Sequence, residues 1–142
     1  MQTAGYSGTP LAKKLGIKPG FVAQLINVPD HYHTLFADWP EQVSYGEGPK
    51  DFIHLFCLRA DTLEPSLVAL RSDLKPDGML WVSWPKKASG VKTDVTEDLI
   101  RQLALRNGLV DIKVCAVDAT WSGLKLVIPL KERPGKHAQT IV

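Results

Sequence analysis

LKPDGMLWVSWPKKASGVKTDVTED, residues 74–98, carries a turn, a buried strand, a loop with two adjacent lysines and the start of a helix. Lys75-Pro76-Asp77-Gly78 is turn chemistry, because proline presets φ and glycine reaches conformations that other residues avoid. Met79 to Trp84 is an apolar run that predicts a core strand, and alternation sends Trp81 and Trp84 to opposite faces of its sheet. Lys86, Lys87 and Lys92 then bracket the small loop Ala88-Ser89-Gly90. Asp94 followed three residues later by Glu97 predicts the capped start of a helix.

The flanking sequence supplies the layers around this stretch. FIHLFCL (52–58) predicts a second core strand, and the spacing of Leu63, Leu67, Leu70 and Leu74 predicts a helix after it. Asp61 or Thr62 can cap that helix, with Pro65 placed in its first turn. Earlier, FVAQLINV (21–28) reads as the first strand. A short helix, LAKKLG (11–16), precedes it, begun by Thr9-Pro10 and stopped by Gly16. A helix near Tyr32 to Asp38, closed by Pro40, follows it, and Gln42 to Tyr45 reads as a short edge strand. Beyond residue 98, Leu99, Ile100, Leu103 and Leu105 give the helix DLIRQLALRNG its core face. VDIKVCAVDA and LKLVIPL, separated by Thr120 to Gly123, predict a closing antiparallel hairpin in which Asp118 braces the turn.

Strands that alternate with helices imply parallel pairing through right-handed crossovers. The expected fold is therefore an α/β three-layer sandwich with a mostly parallel sheet and a C-terminal antiparallel hairpin. The whole chain, 1–142, reads as one domain, with 1–8 and 131–142 as loose ends.

Composition narrows the function classes. The chain is 44% hydrophobic and 23% charged, as in ordinary globular proteins. A net charge of +2 is too small to suggest nucleic acid or a membrane surface as a partner. The N-terminus lacks an apolar signal region and no apolar run approaches the ~18 residues of a membrane span, so a cytoplasmic location is expected. Cys57 and Cys115 lie inside apolar runs and read as buried free thiols.

Two features resemble class I methyltransferase (Rossmann-like) folds. LKPDGMLWVSW is similar to the turn-and-strand signature before their fifth strand, and residues 94–130 are similar to their closing helix and hairpin. In wording, the chain also resembles a family of small bacterial proteins of unknown function. The resemblance is carried by GYSGTPLAKKLGIKPG at 5–20, WPKKASGVKTDVTED at 84–98 and VCAVDATWSGLKLV at 114–127. That family implies no activity. The chain departs from the methyltransferase pattern after the first strand, where Asn27-Val28-Pro29-Asp30-His31 offers no glycine for close approach to adenosylmethionine. Too few residues separate that strand from FIHLFCL for two full strand–helix units. A shortened sheet is expected, without its outer strands and without a cofactor.

Open parallel sheets bind ligands at the carboxyl ends of their strands, where strand order reverses. The candidate ligand-binding residues are therefore Asn27, Asp30, Arg59, Trp84, Lys86, Lys87, Ser89 and Lys92. Lysines, loop N–H groups and a helix start suit a small anionic ligand. His31 and His33 read as a surface pair rather than metal ligands, since i,i+2 spacing does not share a helix face, and His54 reads as a hydrogen-bonded core histidine. No catalytic residue and no metal site is assigned. The resulting expectation is a binding module for a small anion or a protein partner, with a homodimer covering the exposed sheet edge. The alternative is a small-molecule transferase, such as a degenerate adenosylmethionine-dependent methyltransferase.

Overall fold

The computed structural model describes residues 8–133, so the remainder of the two expected loose ends lies outside the described residues. Five strands form one sheet: β1 (Ala23–Ile26), β2 (Lys50–Phe56), β3 (Leu74–Pro85), β4 (Val110–Ala116) and β5 (Trp121–Val127). Their order is β1-β2-β3-β5-β4. β1, β2 and β3 pair in parallel, and β5 runs antiparallel between β3 and β4. Helix α1 (Leu11–Leu15) lies on one face; α2 (Ala60–Ser72) and α3 (Glu97–Arg106) supply the core of the other.

Each face has its own core. On the α2/α3 face, Leu63, Leu67, Ile100 and Ala104 meet Ile53, Leu55, Leu80, Val82 and Trp84. Each fully buried leucine there contributes about 1.5–3 kcal/mol relative to exposure. On the α1 face, Leu11, Ala12 and Leu15 join Tyr32, Phe36, Phe52, Phe56 and Trp81. The two tryptophans of β3 do point opposite ways, and the Trp81 indole N–H donates to Leu15 O at 2.9 Å, pinning the short helix to the sheet.

Several boundaries differ from expectation, each for a tertiary reason. Tyr32 to Asp38 forms only a 3-10 turn, Tyr32–Leu35, because the Asp38 carboxylate is drawn instead to the N–H groups of Ala12 and Lys13. Asp38 thereby caps α1, whose N-cap is Pro10 rather than Thr9. Gly16 does end that helix, at φ 84°, a left-handed conformation suited to glycine. The first strand is shorter than read, and Gln42 to Tyr45 supplies one parallel bridge, Val22 with Ser44.

The third strand begins at Leu74, before the expected turn, so Lys75 to Gly78 bulge within it. Register jumps there from Lys50–Leu74 to Phe52–Met79. Only glycine fits at 78, since a Cβ would stand 2.6 Å from Lys50 O. Pro65 falls in the second turn of α2 rather than its first. The hairpin turn is Val117 to Thr120, not Thr120 to Gly123: Asp118 Oδ1 accepts from the N–H groups of Thr120 and Trp121, both at 2.8 Å, and frees Trp121 to start β5.

The β1–β2 connection carries the topological point that matters for a ligand. It leaves β1 over the α1 face, touches the outer edge of β1 at Ser44, and returns beside Ser72 and Asp73 to enter β2 on the other side of β1. Strand order thus reverses at β1/β2, with a single bridging residue standing where an outer strand would lie. That residue also covers part of the β1 edge.

Candidate functional site

At the carboxyl rim the two faces of the sheet differ. On the α1 face, the chain after β1 folds over the strand ends. Asn27 takes φ 58°, a left-handed conformation that asparagine tolerates, and turns the chain into Pro29 and the 3-10 turn. Tyr32 is buried, its ring edge-on to Phe56, while His31 Nε2 stands 3.5 Å from Asp118 Oδ2 of the hairpin turn. Beneath them His54 bridges Tyr32 Oη (2.9 Å) and Ser83 Oγ (2.8 Å), the hydrogen-bonded core histidine read from the sequence. Burial holds its pKa down at about 3, so the imidazole is neutral.

On the α2/α3 face the rim is open. A groove of about 1230 Å³ runs between the β2–α2 junction and the loop from Pro85 to Asp98, with Trp84 among its lining residues. Two side-chain bonds hold its walls. Asp94 Oδ1 accepts from Ala60 N at 2.7 Å, capping α2 from a residue far along the chain, and Thr93 Oγ1 donates to Leu58 O at 2.7 Å. With Asp94 so engaged, Thr96 caps α3 by accepting from Leu99 N. The expected caps, Asp94 for α3 and Asp61 or Thr62 for α2, are therefore replaced. No local signal marks the 34-residue link between Asp94 and Ala60.

Of the candidate residues, Arg59, Trp84, Lys87 and Lys92 share this groove, whereas Asn27, Asp30, Lys86 and Ser89 do not line it. Lys86 Nζ donates to Asp118 O at 2.8 Å, tying the loop to the hairpin. Ser89 Oγ donates to Lys86 O and accepts from Val91 N, bracing the 3-10 turn Lys87–Ser89. Asp30 is exposed at the end of the β1 loop.

The acids of the groove are already engaged. Asp61 pairs with Arg59, hydrogen bonding that raises the guanidinium and lowers the carboxyl. Glu97 and Asp98 pair with Arg101, and Asp94 holds Ala60 N. Lys87 and Lys92, by contrast, have no ion-pair partner among the described residues. The groove therefore offers two uncommitted ammonium groups beside an aromatic ring. Among the described residues no group of three His, Cys, Asp or Glu side chains could hold a metal ion, and no helix is long and apolar enough to cross a membrane.

Comparison with solved structures places this sheet among known folds. Magnesium protoporphyrin IX methyltransferase from Synechocystis PCC 6803, with bound SAM, superposes at a TM-score of 0.55 with 12% identity, over 84% of this chain and 74% of that one. The likeness is one of fold, an α/β sheet of the methyltransferase-like, Rossmann-like kind. Ribosomal protein L11 methylase from Lactobacillus delbrueckii subsp. bulgaricus matches at 0.50 with 15% identity, over 82% and 73% of the two chains. A pericyclic reaction enzyme matches at 0.51 with 15% identity, over 84% of this chain but 39% of its own length. No protein-family model matches the sequence, and no curated protein matches it.

The adenosylmethionine associated with this fold does not fit the end of β1. The loop from Asn27 to His31 has no glycine through which backbone could approach a ligand, and Tyr32 and Phe36 fill the α1 side of the strand ends. One bridging residue, Ser44, replaces the outer strand whose end would carry a ribose-binding acid.

Proposed function

We propose that the protein is a small-molecule transferase of methyltransferase fold that holds an anionic substrate in the groove between the β2–α2 junction and loop 86–96. One observation carries the reading: the open groove lies at the carboxyl rim of a methyltransferase-type sheet, where Lys87 and Lys92 are its uncommitted charges. Arg59, braced by Asp61, would contribute donors at one wall, and Trp84 an apolar surface at the base. Likeness to structures of methyltransferases supports transfer chemistry over passive binding. A second reading, a non-catalytic binding module at the same groove, draws support from the closed α1 side of the rim, which leaves no place for the nucleoside after β1.

The test is a thermal-shift series with adenosylmethionine, adenosylhomocysteine, nucleotides and sugar phosphates, repeated on Lys87→Ala and Lys92→Ala. A shift with both an adenosyl compound, which must then lie in the groove rather than after β1, and an anion, with the anion's shift lost in the lysine variants, supports the transferase. A lysine-dependent shift with anions alone favours the binding module. If no compound shifts the melt, or if the lysine variants respond as the parent does, the groove is the wrong place.

A further inference from the structure

On the face opposite the groove, four lysines gather at the carboxyl end of α1. The β4–β5 register sets Lys113 directly across from Lys125. Like charges facing one another on adjacent antiparallel strands destabilise the pair. Lys113 Nζ donates to Lys14 O at 2.9 Å, and Lys14 Nζ donates to Ala116 O at 3.0 Å. Lys125 Nζ lies 3.8 Å from where a Cβ on Gly16 would stand, so it too sits under the helix end. Lys18 completes the group: burial foremost, then the charges of Lys113 and Lys18, pulls the Lys125 pKa down.

No carboxylate lies within ion-pair distance of any of the four among the described residues. Two backbone oxygens offset part of this charge but do not neutralise four ammonium groups. The half-buried Cys115 borders the cluster, its thiol raised by burial while Lys14 and Lys113 act the other way.

We propose that this cluster is a second binding site, separate from the groove, for a compact polyanion of the phosphate class. The Lys113 and Lys125 ammonium groups both lie at the carboxyl end of α1, with Lys14 and Lys18 on the chain beside them, rather than forming a stripe. With a chain net charge of only +2, that arrangement suits a small phosphate-bearing molecule over an extended nucleic acid. The anion would sit between Lys113 and Lys125 and relieve their repulsion.

The experiment titrates inorganic pyrophosphate into the full-length protein by calorimetry at low salt, and repeats it for Lys113→Met, Lys125→Met, Lys87→Met and Lys131→Met. Binding is expected, weakening as salt rises, and falling about tenfold or more in K113M and K125M as charge-assisted hydrogen bonds are lost. K131M, at a residue of neither site, should bind as the parent does, and K87M should retain the binding that K113M and K125M lose. Without pyrophosphate, K125M should melt above the parent, because methionine keeps the stem and removes the repulsion. Peptide-resolved alkylation of Cys115 should slow when pyrophosphate is present. Absence of binding at millimolar pyrophosphate overturns the proposal, as does unchanged affinity in K113M and K125M or a loss confined to K87M. A K125M melt below the parent's counts against it as well.

Discussion

Replacing His54 with glutamine should flatten the acid limb of this protein's stability curve. The imidazole is fully buried between Tyr32 Oη and Ser83 Oγ, with the rings of Phe52 and Phe56 beside it. Burial lowers its pKa from 6.5 to about 3, so the folded protein leaves it neutral where the unfolded chain would protonate it. The direction follows from linkage: the unfolded state binds the extra proton, and stability falls as pH drops through 6.5 toward 3. At pH 5 an unfolded histidine of pKa about 6.5 accounts for a loss of about 2 kcal/mol relative to pH 8. That figure scarcely depends on the folded pKa while the latter stays well below 5.

Urea unfolding of the parent and of His54→Gln at pH 8 and pH 5 isolates this contribution, because the other titrating groups are common to both. The variant should be weaker at pH 8 by about 1–3 kcal/mol, since Tyr32 and Ser83 lose a buried partner. Between pH 8 and pH 5, however, it should lose about 2 kcal/mol less than the parent does. If glutamine prevents folding, the His54 ring resonances of the parent give the same answer and should not titrate down to pH 4. Equal losses in the two proteins, or a His54 midpoint near 6, would refute the reasoning.

Substitutions at two further positions probe the frame of the groove and the bulge in β3. Gly78→Ala places a methyl 2.6 Å from the carbonyl oxygen of Lys50, a backbone atom that cannot swing aside, and should cost about 1–3 kcal/mol in urea unfolding; a variant as stable as the parent would mean the bulge relaxes. Asp94→Ala removes the cross-chain cap on α2 and should cost about 1 kcal/mol, with Asp94→Asn recovering most of it because asparagine also caps. Equal losses for alanine and asparagine would show that the carboxylate acts by charge rather than as a hydrogen-bond acceptor.

What could be read from the sequence alone was what depends on near neighbours. The apolar runs at 52–58 and 79–84, the leucine spacing after residue 60 and the stop at Gly16 specify their elements locally, and together they imply a parallel α/β sheet closed by a hairpin. Trp81 and Trp84 take opposite faces because a strand alternates. The missing glycine after β1 and the short span to β2 already implied a shortened sheet.

The tertiary structure decided what depends on partners distant in the chain. Asp38 caps α1 instead of extending its own turn into a helix, and Asp94 caps α2 instead of α3, because each carboxylate meets unsatisfied N–H groups that only folding brings near. The same cause divided the candidate ligand residues in 74–98. Lys86 and Ser89 bond within the loop and to the hairpin, while Lys87 and Lys92 are left facing the groove with Arg59. A lysine's place in the sequence shows that it can carry charge to a rim. Whether that charge is already engaged is settled by the chain that folds up beside it.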